Sequence, residues 1–401
     1  PQLAVFGQLA MVVIAALLGP ALAAGRRPLL PVLVGELAAG ALIGRTGFRI
    51  LDPAAAPMPA LYAIGFAMLM LSVGTQVDLS SAQLRQSLSR GGLALLVSLA
   101  ASLLVGQAIS LTLGIDHALL FGILLAGISA AVVFPCIEER ALSGSAIAFL
   151  TAWVVLADGF TVLLMPLTLI GPGHLLLALA GDALIIAAGA GILWLSHRAI
   201  RHEAVGSALR EGFRQSRQRG WALQLRLSIL ILLVLAAIVE GTGASVLVAG
   251  FVAGVVLAQL GQPERLVVQL SGVANGFFVP AFFVLLGATL DLRQLVTDPV
   301  AIALGVLLAL GSVTVHLLGA AVAGQDRRFT IGLLASAQLG LPAAAAALGL
   351  SSHALSPALA AALVLGGCLT LIPTSVASAL LARGQASTHI GTGKPGPKLV
   401  D

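Results

Sequence analysis

Ionisable side chains are scarce in this chain, and one stands where water is not expected to reach. Asp158 lies in the run Trp153-Val154-Val155-Leu156-Ala157-Asp158-Gly159-Phe160-Thr161, with no basic residue in the same apolar segment. Placing a carboxyl group deep in hydrocarbon costs roughly 2.5–3.5 kcal/mol on insertion scales. Away from water the ionised form needs a neutralising partner, so a proton and a small cation can compete for the same oxygens. That competition is the minimum chemistry of an exchanger. Asp158 is therefore the expected proton site and the expected ligand of a transported monovalent cation.

The other candidates carry weaker signals. Glu36 stands between Gly35 and Gly40, a setting that suits close helix packing or a polar contact. Asp182 and Glu240 fall towards the ends of apolar runs and are expected at interfaces. Glu138 and Glu139 close another run, where they would either draw cations towards a funnel or form a solvated face. His316 is the only basic-capable side chain of its run; it reads as a satisfied histidine or as a charge partner and pH switch. Neither Gly-x-Gly-Asp nor His-Glu-x-x-His occurs, and no Ser–His pair has a persuasive spacing, so no enzyme and no cofactor are expected. Cys136 and Cys368 offer no disulfide framework and no metal-ligand spacing.

The elements that must hold Asp158 are membrane helices. Of 401 residues, 59% are hydrophobic and 9% charged, and the mean hydropathy is +1.07, whereas soluble domains carry roughly a quarter charged residues. Apolar runs predict spans at about 4–24, 29–44, 58–77, 91–114, 117–137, 144–170 and 174–197. Six more follow at about 223–240, 244–260, 267–290, 299–323, 329–349 and 356–382. That makes an all-α integral membrane protein of about thirteen transmembrane helices. With the N-terminus outside and the C-terminus inside, only Arg45, Arg49 and Arg293 face outwards. Arg226 sits at an edge, and the remaining basic residues fall on the inner side. The net charge of +5 is scattered over these short joints, so no nucleic acid is expected as partner. Ala21-Leu22-Ala23 resembles a signal-peptide cleavage site, but no basic n-region precedes it. The tail 384–401 reads as disordered, and its two lysines, the only ones in the chain, suggest a remnant of cloning.

The chain also matches itself. Val32-Leu33-Val34 with Ala39-Gly40 recurs as Val246-Leu247-Val248 with Ala253-Gly254, an offset of 214. At an offset of 213, Gly74 with Asp78-Leu79 recurs as Gly287 with Asp291-Leu292, and Gly127-Ile128-Ser129 lies over Gly340-Leu341-Pro342. The offset moves each span seven places on, an odd number, so the two six-helix repeats would have inverted topology and be joined by a linker helix. The fifth and twelfth spans look broken at corresponding places, by Gly127 and Pro135 around Ser129 and by Gly340 and Pro342. Freed backbone at membrane depth is tolerated only where it lines a cavity or is buried in protein. Paired interruptions of this kind point to a binding site.

With those residues in view, the sequence resembles the monovalent cation–proton antiporter superfamily, in its bacterial KefC/NapA-like branch. The resemblance covers residues 1–383. It rests on Pro31-Val32-Leu33-Val34-Gly35-Glu36 with Ala39-Gly40, the Gly74…Asp78-Leu79 end of the third span, Ala253-Gly254, Phe282-Phe283-Val284…Gly287 and Ala337-Gln338-Leu339-Gly340. It implies a NapA/NhaA-like fold with broken crossing helices, exchange of Na⁺ or K⁺ for protons by alternating access, and no cofactor. It also implies a homodimer in the bacterial inner membrane. Residues 1–90 and 223–297 would be dimer and scaffold helices, 91–170 and 298–383 the ion-translocating core, and 171–222 a linker helix with a basic loop.

The family's acidic pair is here Ala157-Asp158, so the second carboxylate is kept and the first is lost. Its lysine before Leu-Leu-Gly is here His316, before Leu317-Leu318-Gly319. Ser129 matches the family's hydroxyl and backbone ligands, and Gln338, Glu36, Glu138 and Glu139 are secondary candidates. A single carboxylate makes electroneutral exchange the simplest expectation. A channel, or a transporter-like sensor that has lost coupling, is the alternative that Ala157 raises.

Overall fold

Apolar runs separated by Gly, Pro and charged joints fold as helices, and among the described residues there is no strand. The computed structural model describes residues 2–23, 32–75, 82–140, 142–169, 175–242, 246–261, 264–324 and 327–392. The first helices are α1 (Gln2–Ala23), α2 (Val32–Ile43), α3 (Met58–Thr75), α4 (Ala82–Leu113), α5 (Ala118–Ala126) and α6 (Ala130–Glu139). They are followed by α7 (Ser145–Leu164), α8 (Leu175–Arg201), α9 (Glu203–Arg219), α10 (Leu223–Thr242), α11 (Val246–Gln259) and α12 (Glu264–Val273). The last are α13 (Val279–Thr289), α14 (Leu292–Thr297), α15 (Pro299–Val322), α16 (Arg328–Ala335), α17 (Gly340–Ser351) and α18 (Pro357–Thr392). Among the described residues, eight helical stretches are long and apolar enough to cross a membrane, and five further apolar helices are shorter.

Two expectations are corrected. The basic loop after α8 is a helix, α9. Its residues Glu203-Ala204-Val205 to Gln218-Arg219 are mostly good helix formers, and Gly220 closes it in the left-handed conformation at φ 70°, as C-terminal glycines do. The tail expected to lose structure at Gly384 continues α18 through Thr392. Pro31, Asp78, Leu79, Lys394 and Lys398 lie outside the described residues. The tenth span also holds a π-helical turn, Ala274–Phe278, between α12 and α13. Pro280 lacks the N–H that would meet the Gly276 carbonyl in a regular α-helix, and a widened turn re-pairs the freed carbonyls.

The chain divides into two units. The first comprises residues 1–81, 162–301 and 343–362. In it α2 packs on α13 and α3 on α11, both at glycines. A side chain on Gly40 would run into the Val284 carbonyl, and one on Gly287 into the Leu37 carbonyl. In the other pair, Gly254 would meet the Leu71 carbonyl and Gly74 the Phe251 carbonyl. Small residues let membrane helices approach this closely, and packing then replaces the missing hydrophobic drive. Phe282 stacks with Phe66 at 5.2 Å between ring centres and thickens the core between α3 and α13. Gly254→Val is expected to cost about 1–3 kcal/mol or more by overpacking. Thermal unfolding in detergent should show this as a fall of several degrees, while Gly272→Val, at an open position, should leave stability nearly unchanged.

The second unit comprises residues 82–161, 302–342 and 363–401. Here α4 lies along α5, with Gly106 against the backbone of Gly122. Trp153 of α7 is fully buried, set over Gly319 of α15 and against the α4 backbone at Gly91. Asp158 lies in this unit.

Candidate functional site: two broken helices beside Asp158

The fifth and twelfth spans are both interrupted, each by a short gap between two helices. The chain leaves α5 at Gly127, whose ψ of 151° is extended, and resumes as α6 at Ala130. It leaves α16 at Ala335 and resumes as α17 at Gly340. The breaks fall beside the glycines and not at the expected prolines: Pro342 lies in the first turn of α17, and Pro135 lies inside α6, its side chain, like those of Glu138, Glu139 and Glu240, outside the described residues.

The two gaps face each other and satisfy one another. Ser129 N–H donates to the Ala337 carbonyl at 2.7 Å. The Gln338 side-chain amide donates to the Leu125 carbonyl at 3.2 Å and to the Gly127 carbonyl at 3.0 Å. Gly340 N–H reaches Ser129 Oγ at 3.5 Å. Thr370 of α18 holds Gln338 from behind. Its hydroxyl accepts from Gln338 N–H at 2.9 Å and lies 3.2 Å from the Gln338 carbonyl. Carbonyls at the C-terminal end of a helix carry partial negative charge. Gln338 thus covers two oxygens at the end of α5 with one neutral group. A side chain on Gly127 would press on the end of the Leu341 side chain at 2.7 Å, so a larger residue there would require Leu341 to shift.

Asp158 enters from α7. It is 7% exposed, and its Oδ2 accepts from Ala130 N–H at 3.4 Å. Ala130 is the first residue of α6, so the carboxylate faces a helix N-terminus, where unpaired N–H groups and the helix dipole favour an anion. Ala157 is fully buried and contributes only its carbonyl, which accepts from Thr161 Oγ1 at 2.7 Å. Thr161 also stands 3.3 Å from the Asp158 carbonyl, and its hydroxyl lies 3.4 Å from where a Gly127 Cβ would be. The segments around the first gap thus carry a carboxylate (Asp158) and two hydroxyls (Ser129 and Thr161). Hard cations take such oxygens as ligands.

His316 stands behind the first gap, against the Ala126 carbonyl at the end of α5. It is fully buried on α15, with Nδ1 2.8 Å from the Ser312 carbonyl and its ring 5.4 Å from that of Trp153. It makes no ion pair with Asp158, so the sequence expectation of a charge partner finds no direct contact. The Trp153 indole nitrogen is buried without a hydrogen-bond partner. Ser312 Oγ donates to the Ser336 carbonyl at 3.1 Å and so ties α15 to the second gap. Glu36 is 4% exposed and belongs to the first unit, with its Cγ against Gly19 of α1. Asp182, also in the first unit, is buried with one oxygen lacking a partner.

Sequence reasoning missed Thr161, Thr370 and Ser312. Thr161 was within reach, since it stands three residues after Asp158 and shares its helix face. Nothing in the sequence pairs Thr370 or Ser312 with a gap residue 32 or 24 positions away in the chain.

Fold and site together define a multi-pass membrane protein in which two interrupted helices meet beside a buried acid. Comparison with known proteins makes the class specific. A family model described as "Sodium/hydrogen exchanger, transmembrane" matches residues 13–383, and the chain belongs to that family. It is 28% identical over 390 residues to the putative Na⁺/H⁺ antiporter YjbQ of Bacillus subtilis, a match covering 92% of this chain and 62% of the relative. It is 27% identical over 276 residues to the glutathione-regulated potassium-efflux system protein KefC of an Enterobacter species, covering 67% of this chain and 43% of that protein. The chain thus spans less than two thirds of the length of either relative. The solved structure of the sodium proton antiporter MjNhaP1 from Methanocaldococcus jannaschii has the same fold. Its TM-score is 0.62 at 18% identity, over 96% of this chain and 99% of that one.

Proposed function

We propose that the chain is a secondary active transporter that exchanges Na⁺ or K⁺ for protons, with Asp158 as the site that proton and cation share. The carrying observation is the position of the carboxylate, buried against the first N–H of α6 where two broken helices meet. A helix N-terminus steadies the anion, and the cation is supplied with oxygens from Asp158, Ser129 and Thr161. Named relatives that are antiporters or potassium-efflux proteins support the cation class.

Alternating access by inverted repeats fits the contacts of the first unit. Under the offsets of 214 and 213, the pair Gly40 and Val284 maps onto Gly254 and Leu71, and the pair Leu37 and Gly287 onto Phe251 and Gly74. A two-fold internal repeat requires this exchange of partners. In the second unit Gly127 and Gly340 correspond in the same way. Thirteen crossings, an outer N-terminus and an inner C-terminus, a bacterial inner-membrane location and a homodimer belong to the same reading. So does the division into scaffold helices around α2, α3, α11 and α13 and a core around Asp158, which the two units support.

One carboxylate neutralised in turn by a proton or a cation carries no net charge across, so exchange is expected to be electroneutral. In proteoliposomes a pH gradient should be dissipated by added Na⁺ or K⁺ at a rate independent of imposed voltage. A cycle moving one net charge would feel about 2.3 kcal/mol per 100 mV and change rate severalfold. Ohmic current without a saturable turnover would instead favour the channel reading.

A further inference from the structure

A second group of charges gathers at the end of α8, remote in sequence from Asp158 and unused by the exchange. Trp194, His197, Arg198 and Arg201 follow one another at helical spacings near the end of α8, and with His202, the extended residue before α9, they line a cavity of about 570 Å³. Trp194 is 62% exposed, and the Arg198 guanidinium lies 5.6 Å from its ring centre. Among the described residues no carboxylate pairs with Arg198 or Arg201, whereas Arg214 on α9 holds Glu211 at 2.9 Å. The apolar stretch of α8 runs from Leu176 to Arg201, so the group stands where the span meets water. That is the depth at which Trp side chains and lipid headgroups sit.

Basic residues at a span end are common, and singly they need no ligand. Here two guanidinium groups, two imidazoles and an indole line one cavity, and among the described side chains no acid lines it with them. Guanidinium groups recognise phosphate with paired N–H donors, and basic pockets at the membrane edge take anionic headgroups. We propose that this face of α8 binds the phosphate of an anionic phospholipid, with Arg198 and Arg201 as its charged ligands and Trp194 as its interfacial anchor. The same phosphate chemistry could come from a soluble ion, but the depth of Trp194 commits the site to a lipid. Because α8 packs on α10 and α11, an occupied site would steady the first unit.

The test follows thermal unfolding of the full chain in neutral detergent with phosphatidylglycerol, phosphatidylcholine or inorganic phosphate added. Binding to the folded state raises its stability, so phosphatidylglycerol should raise the melting temperature by several degrees and saturably, with the other two near zero. The double variant Arg198→Gln/Arg201→Gln should lose that rise. Arg214→Gln/Arg219→Gln, which removes equal charge from α9, should keep it. Equal stabilisation by phosphatidylcholine, a full effect from inorganic phosphate, or the same response in both double variants would overturn the proposal. A second readout needs no arginine variant. Brominated phosphatidylglycerol should quench wild-type tryptophan fluorescence more than brominated phosphatidylcholine does, and Trp194→Phe should abolish the difference; a difference that survives Trp194→Phe counts against the site.

Discussion

Asp158→Asn is expected to abolish cation–proton exchange while leaving the protein folded. Asparagine has nearly the same shape, and its Oδ1 can still accept from Ala130 N–H, so the contact at the start of α6 survives. What disappears is the one ionisable oxygen that the described side chains bring to the two gaps. A neutral amide neither binds and releases a proton nor supplies charge to a desolvated cation, so exchange should fall about a hundredfold or more. Melting temperature should stay within a few degrees of the wild type, since one neutral hydrogen bond is worth roughly 0.5–1.5 kcal/mol. Wild-type flux in this variant, measured in proteoliposomes, would remove Asp158 from the mechanism.

Gln338→Leu is expected to damage both transport and stability. The substitution keeps approximate volume but removes both donors that reach the Leu125 and Gly127 carbonyls. Each buried acceptor left without a partner costs about 1–3 kcal/mol, so the pair amounts to several kcal/mol and the melting temperature should fall by many degrees. Gln338→Glu separates geometry from hydrogen bonding. It has the same shape, yet when ionised it can only accept, and it would face two carbonyls. Exchange should drop at least tenfold in both variants, with the apparent cation affinity weakened because the gap residues Gly127 and Ser129 lose their fixed positions. Wild-type stability and affinity in both variants would show that the amide bonds contribute nothing to the gap.

The legible parts of the sequence were those where one residue type has a single explanation. An acid in an apolar run is too costly to be idle, so Asp158 stood out. Gly127 and Gly340 marked the gaps because backbone released at membrane depth must be used. Pro135 misled, because proline announces a missing donor without saying whether the helix ends there; α6 runs through it. The charges of α9 suggested a loop, although charge describes a solvated face and says little about backbone, and the helix propensity of that segment was the better guide. His316 was read through its electrical potential, whereas its neighbours, Trp153 and Ser312, lie on helix faces that no one-dimensional pattern pairs. Gln338 was picked out only as part of a motif. Its role as a clamp depends on carbonyls 211 and 213 residues earlier in the chain, brought close only by folding.

Competition for one carboxylate makes a prediction about protons that needs no membrane. When a cation takes a protonated site, the site must release its proton. Purified protein in weak buffer, titrated with NaCl or KCl against choline chloride, should release a proton for each cation bound, about one per chain at most, and Asp158→Asn should release none. Cation binding without proton release, or equal release from Asp158→Asn, would contradict a shared site at Asp158.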